Sequence, residues 1–236
     1  MRGYTRHHLK EDQFRTTAKE TASWVVAHRQ KFIYGAIAVA VALVIVFGGW
    51  FYIQQQDEAA GVALGHALQV YQAPVASTMQ PPPAETTSFA SAQDRAKAAH
   101  AEFAKVAEKY PHTNSAEMAR YFMGLTSSET GNPAAAEKEL KEVAESRRSD
   151  VAALAKFALA SLCRNQEKDA QAVALYKDLI EHPTNTVAKA QAQLALASVY
   201  EQKQPQDARN LYQQVQKENP DSPAGQLAAN RLSELK

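Results

Sequence analysis

Residues 206–221 read QDARNLYQQVQKENPD and residues 170–184 read AQAVALYKDLIEHPT. Ala, Tyr, an aliphatic and Pro return at nearly the same offsets, and two further copies lie upstream. The anchor residues Phe103, Leu140, Tyr176 and Tyr212 are 37, 36 and 36 residues apart. Four positions before each stands an alanine (Ala99, Ala136, Ala172, Ala208), and three positions after each comes Val106, Val143, Leu179 or Val215. Pro111, Pro183 and Pro220 follow three of the four anchors by seven or eight residues. Offsets of three and four inside a longer period describe a helix whose one face is buried in every copy, the mark of a repeat protein.

Helix boundaries around these anchors are well punctuated. Asn132-Pro133 and Ser222-Pro223 each set a capping residue before a proline at the first helical position, while Pro111, Pro183 and Pro220 follow helix ends. The pattern predicts helices over 115–129, 133–147, 150–165, 168–181, 186–203, 205–218 and 223–235. No stretch alternates like a strand, so an all-α domain of antiparallel helix pairs is expected. The first helix of each pair carries a large apolar residue before a small one: Met123-Gly124, Leu159-Ala160 and Leu196-Ala197, 36 and 37 residues apart. A small residue lets paired helices approach, and the large ones fill the gap to the next pair. Arg120, Lys156 and Gln193 stand four positions before the small residues.

Ahead of the repeats the composition changes. Residues 32–53, within KFIYGAIAVAVALVIVFGGWFYIQQQD, hold 22 consecutive positions without a charge. At about 1.5 Å per residue a helix of that length crosses a hydrocarbon core of about 30 Å. Tyr34 near one end and Trp50, Phe51 and Tyr52 near the other occupy the places where amphipathic rings settle at membrane interfaces. A signal peptide has a shorter apolar core and a small-residue cleavage site, so an uncleaved anchor is expected. Residues 1–31 carry seven Lys or Arg against three acids, and the first charges after the span are Asp57 and Glu58, which predicts a cytoplasmic amino terminus. Within this basic leader Phe14, Ala18, Thr21, Val25 and His28 recur at helical spacing with Trp24 beside them. Two readings fit: an amphipathic helix on the inner leaflet, or a docking helix for another membrane protein.

Four segments are therefore expected: a leader (1–31), a transmembrane helix (32–53), a first helix pair (54–111), and repeats with a C-terminal capping helix (112–236). In the first pair, residues 57–72 continue the membrane helix outward and 91–111 form a second long helix, with a proline-rich insertion at 73–90 that reads as flexible or, in the alternative, offers its PPP run as a polyproline ligand.

Chemistry-bearing patterns are scarce. After residue 53 the chain has 19 basic and 22 acidic residues, a balance without the clustered Lys and Arg of a nucleic-acid surface. The chain contains no G-x-x-x-x-G-K-[ST], G-x-S-x-G, H-E-x-x-H or paired CxxC, and its seven histidines form no ligand cluster. Cys163, the only cysteine, sits in the helical stretch VAALAKFALASLC and reads as a buried thiol. Neither an enzyme nor a cofactor or metal site is expected.

The order of small, aromatic, alanine, aromatic and proline positions resembles the tetratricopeptide repeat (TPR), here with a period about two residues longer than the usual 34. A basic leader containing Trp24 and the run His28 to Phe32, one span ending in Gly48 to Tyr52, and TPR-like repeats together resemble the YfgM-like family, ancillary subunits of the bacterial Sec translocon. That resemblance implies an inner-membrane, single-pass scaffold with a periplasmic domain, whose partners are translocon subunits, periplasmic chaperones or exported clients. The alternative is an envelope assembly or cell-division scaffold away from the translocon. In TPR folds the first helices of the pairs line the concave side. Matching Gly124, Ala160 and Ala197 projects Met118, Tyr121, Leu125, Leu154, Phe157 and Leu194 toward that groove, with Ser128, Arg164 and Glu201 at one end. A rotated first helix, as the charges at Arg120 and Lys156 would suit, instead makes Tyr121 and Phe157 core.

Overall fold

A computed structural model describes residues 29–76 and 88–235. The leader pattern Phe14 to His28 and the centre of the proline-rich insertion (77–87) lie outside the described residues. The described helices are α1 (Arg29–Tyr71), α2 (Ala92–Lys109), α3 (Asn114–Glu129), α4 (Pro133–Ala144), α5 (Ser149–Asn165), α6 (Asp169–Glu181), α7 (Lys189–Tyr200), α8 (Pro205–Glu218) and α9 (Pro223–Glu234). No strand occurs among the described residues, so the chain is all-α in a TPR-like arrangement.

The starts of these helices follow from local chemistry. Ser91, Thr113, Asn132 and Ser222 each accept, through a side-chain oxygen, a backbone N–H that the first turn leaves without a partner. Pro133, Pro205 and Pro223 occupy the first helical turn, where a missing N–H costs nothing. Two helices are shorter than the sequence pattern suggests. The helix expected over 186–203 runs only Lys189–Tyr200; its start is delayed because Thr184 turns back on Val187 through a backbone bond of 3.1 Å and the Thr184 hydroxyl accepts the Val187 N–H. The helix expected over 133–147 stops at Ala144, where Ser146 donates its N–H to Val143 and its hydroxyl oxygen accepts the Arg148 N–H (3.1 Å). In both places a local hydroxyl competes with the next helical bond.

The chain divides into two compact units, Met1–Gln55 and Gln56–Lys236. In the first, the described residues are all helical, and Val44, Phe47, Trp50 and Phe51 are exposed. This part of α1 is long and apolar enough to cross a membrane, and none of its most apolar window is buried within the protein.

The second unit is held together by the repeat positions. All four alanines that precede the anchors are fully buried, the anchors themselves nearly so, and Val106, Val143, Leu179 and Val215 after them are buried as well. Loops of three to seven residues join α2 to α9, which makes neighbours antiparallel. First helices of successive pairs also touch, α3 with α5 and α7 with α9, so the pairs stack as a solenoid. Gly124 shows why a small residue is needed: a Cβ there would stand 2.7 Å from Leu140 Cδ2.

Long-range polar contacts lock the pairs. Asp57 accepts from both the backbone N–H (3.1 Å) and the side-chain amide (3.0 Å) of Asn114, at the start of α3. Arg120 donates to the carbonyls of Ala107 and Pro111, closing the end of α2, and Lys156 pairs with Asp178 at 2.6 Å. Both ends of the proline-rich insertion are fixed by Ala76 N–H to Phe89 O (2.8 Å) and Phe89 N–H to Pro74 O (3.1 Å).

Candidate protein-binding groove

Ala188, which caps α7, and Gln191, Leu194, Ala195 and Ser198 along it fall on one helical face, and this face forms one side of a pocket of about 530 Å³. The ten residue-to-residue steps from Ala188 to Ser198 give it a length of about 15 Å. Phe157 of α5 borders it on one side, Ala224, Leu227 and Arg231 of α9 on the other, and Tyr212 of α8 forms the floor. Three of the four contributing helices are thus first helices of pairs.

The side chains are held in place from behind. Phe157 sets its ring edge-on against Tyr176, with centroids 5.5 Å apart. Tyr212 is buried to its hydroxyl, which donates to Glu201 Oε1 at 2.7 Å; burial and that carboxylate both push its pKa upward. Leu227, by contrast, is 46% exposed, an apolar side chain facing open solvent at the mouth. At the end marked by Ser198, Arg164 Nη1 donates to Ser198 Oγ at 2.8 Å, and Arg231 pairs with Glu234 at 3.0 Å.

Of the residues expected to line a groove, Phe157 and Leu194 are brought together here, and Arg164 reaches it through Ser198. Tyr121 and Leu154 are half-buried against the central core cluster, and burial pushes the Tyr121 hydroxyl pKa up. Met118 and Leu125 are also half-buried, and Ser128 is exposed. Tyr121 and Phe157 therefore belong wholly to neither extreme, core or free surface.

Sequence reasoning missed the α9 side. The signal was present: Tyr121, Phe157 and Leu194 are 36 and 37 residues apart, and a further step of 37 lands on Arg231. Likewise Met118, Leu154, Ala190 and Leu227 follow at 36, 36 and 37. From sequence α9 reads as a cap. One face, Gln226, Asn230 and Ser233, is polar and exposed, while the face with Ala224, Leu227 and Arg231 continues the groove.

A second, polar cleft of about 240 Å³ lies between α2, α3 and α4. Glu139 accepts the Ser127 hydroxyl at 2.6 Å and stands 3.2 Å from His100 Nε2. The carboxylate lies between the other two, so the imidazole does not meet the serine hydroxyl as a general base must. Cys163 is buried, which raises its thiol pKa. Among the described residues no group of three His, Cys, Asp or Glu is placed to hold a metal ion.

Comparison with known families agrees with this architecture. A model described as a tetratricopeptide repeat-like domain matches residues 23–178, and one described as a tetratricopeptide repeat matches residues 191–222. No curated protein matches the chain. Repeats of this type are typically non-catalytic scaffold domains that mediate protein–protein interactions. With well over half of its 236 residues under the first match and buried positions recurring every 36 or 37 residues, the chain belongs to the tetratricopeptide repeat-like domain family.

Proposed function

We propose that this protein is a scaffold anchored in the inner membrane by residues 32–53, with its leader in the cytoplasm and its repeats in the periplasm. There it binds protein partners beside the Sec translocon and assists the handling of exported proteins. The observation that carries the binding role is the open apolar pocket along α7, rimmed by Arg164, Arg231 and Ser198. Apolar surface rimmed by polar groups is suited to bury a partner segment. In this reading the groove continues from Phe157 and Leu194 over Leu154, Tyr121, Met118 and Leu125.

The anchor and its direction are supported by the uncharged run and by the bias of seven basic residues before it against Asp57 and Glu58 after it. The first family match begins at residue 23, ahead of the span, so the apolar helix goes with the repeats. Association with the translocon rests on the likeness of leader, span and repeats to the YfgM-like family. Crosslinking in native membranes followed by mass spectrometry tests it. Recovery of Sec subunits, periplasmic chaperones or exported clients is expected, and a catch with none of these overturns the translocon assignment.

A further inference from the structure

We infer that the segment held in the α7 groove carries an acidic side chain that meets Arg164, an inference that rests on the groove being a peptide site. The walls are apolar: Phe157, Leu194, Ala195, Ala224 and Leu227 dominate them, and any occupant must present apolar side chains to gain from burial there. Charge sets the rest. Around the groove the cations are largely compensated within the fold, Arg231 by Glu234 at 3.0 Å, Lys156 by Asp178 at 2.6 Å and Lys203 by Asp169. Glu201, the carboxylate at the same end, accepts from the Tyr212 hydroxyl, and its charge is met by Arg231, which Glu234 and then Glu201 hold in the charged form.

Arg164 differs. Among the described residues it forms no ion pair with a carboxylate, and its side-chain hydrogen bond goes to a neutral group, Ser198 Oγ at 2.8 Å. That bond crosses from α5 to α7 and holds the exposed guanidinium against Ser198, the last α7 residue to line the pocket. A guanidinium offers five N–H donors and Ser198 takes one, leaving the planar edge free for a carboxylate. A basic occupant would be repelled at this point, and a neutral one would leave the charge without a partner. The groove's length of about 15 Å suits about ten residues of helix or four to five extended residues.

The test uses the full chain in detergent micelles and three fluorescent ten-residue peptides of one leucine- and alanine-rich sequence. They carry Glu, Gln or Lys at a single position, and are acetylated and amidated so that no terminal carboxylate competes. Binding is read by anisotropy for the native chain, Arg164→Glu and Leu227→Ser, with melting checked by circular dichroism; both altered residues are exposed. The native chain should bind the Glu peptide about three- to tenfold tighter than the Gln peptide and the Lys peptide weakest, the range of a partly screened ion pair. Arg164→Glu should reverse the order, and Leu227→Ser should weaken all three alike. Equal binding of the three peptides, or an order unchanged in Arg164→Glu, overturns the acidic preference and leaves the groove standing. Absence of binding by every peptide, or binding untouched by Leu227→Ser, overturns the groove itself.

Discussion

Adding one methyl group to Gly225 and to Gly65 should move stability in opposite directions. Both glycines lie inside helices, where Gly→Ala by itself gains about 0.5–1 kcal/mol from reduced chain entropy. At Gly65 a new Cβ meets nothing within 4 Å, so the whole gain should appear. At Gly225 the new Cβ overlaps the Asn219 carbonyl oxygen and stands 2.8 Å from its carbonyl carbon and 3.4 Å from Pro220 Cα. Carbon atoms settle about 3.5–4.0 Å apart, so the start of α9 must retreat from the turn after α8 by roughly 0.7 Å or more. These are backbone atoms, and no rotamer change relieves them. Overpacking of this kind costs about 1–3 kcal/mol. The retreat also strains the Gly225 N–H to Ser222 Oγ cap at 3.1 Å, worth about 1 kcal/mol. Against the propensity gain, the net loss is about 1–3 kcal/mol. In a solenoid each pair leans only on its neighbours, so the loss should fall on α8 and α9 rather than on the whole domain. Hydrogen exchange of the full chain in micelles should show faster exchange confined to those two helices. Urea unfolding of Gly65→Ala should shift to higher denaturant. If Gly225→Ala proves as stable as the native chain, or if its faster exchange spreads evenly, the close approach of α9 to Asn219 is refuted.

Phe157→Ala removes a half-buried ring and its edge contact with Tyr176, and should cost about 2–3 kcal/mol while also weakening peptide binding; a loss of stability with binding intact would place the ring in the core alone. Asp57→Ala removes two hydrogen bonds to Asn114 and should cost about 1–2 kcal/mol in urea unfolding, with Asn114→Ala giving a similar value and the double variant little more. Hydrogen bonds from Lys141 and Lys168 hold the Glu137 carboxyl at about 2, below the ordinary 4.5. A carboxyl depressed in the folded state contributes stability above 4.5 that is lost as pH falls toward about 2. Glu137→Gln should therefore flatten the acid limb of the stability curve, and an unchanged limb refutes the pairing. Protease added outside spheroplasts should remove the repeats and spare the leader; loss of the leader instead would reverse the proposed orientation.

The repeat was legible in the sequence because burial is periodic: Ala172, Tyr176 and Leu179 sit on one helical face, and the same offsets recur in each pair. The uncharged run 32–53 and the capping residues Asn132 and Ser222 were equally local signals, each decided within a turn or two of helix. Phe157 and Leu194 were placed in the groove by register, since residues one period apart stack. What register could not supply was everything that depends on how one helix is turned against another. Arg120 and Lys156 look alike at matched positions, yet one closes the end of α2 and the other reaches Asp178 on α6. Asp57 reads as a flanking charge, yet it meets Asn114 across 57 residues of chain. The bond from Arg164 to Ser198 and the extension of the groove to Leu227 and Arg231 likewise arise only when α5, α7 and α9 lie side by side. A periodic pattern records which face of each helix is buried. Which side chains meet across helices is set by crossing geometry, and a few degrees of rotation, summed over the whole packed interface, exchange one partner for another.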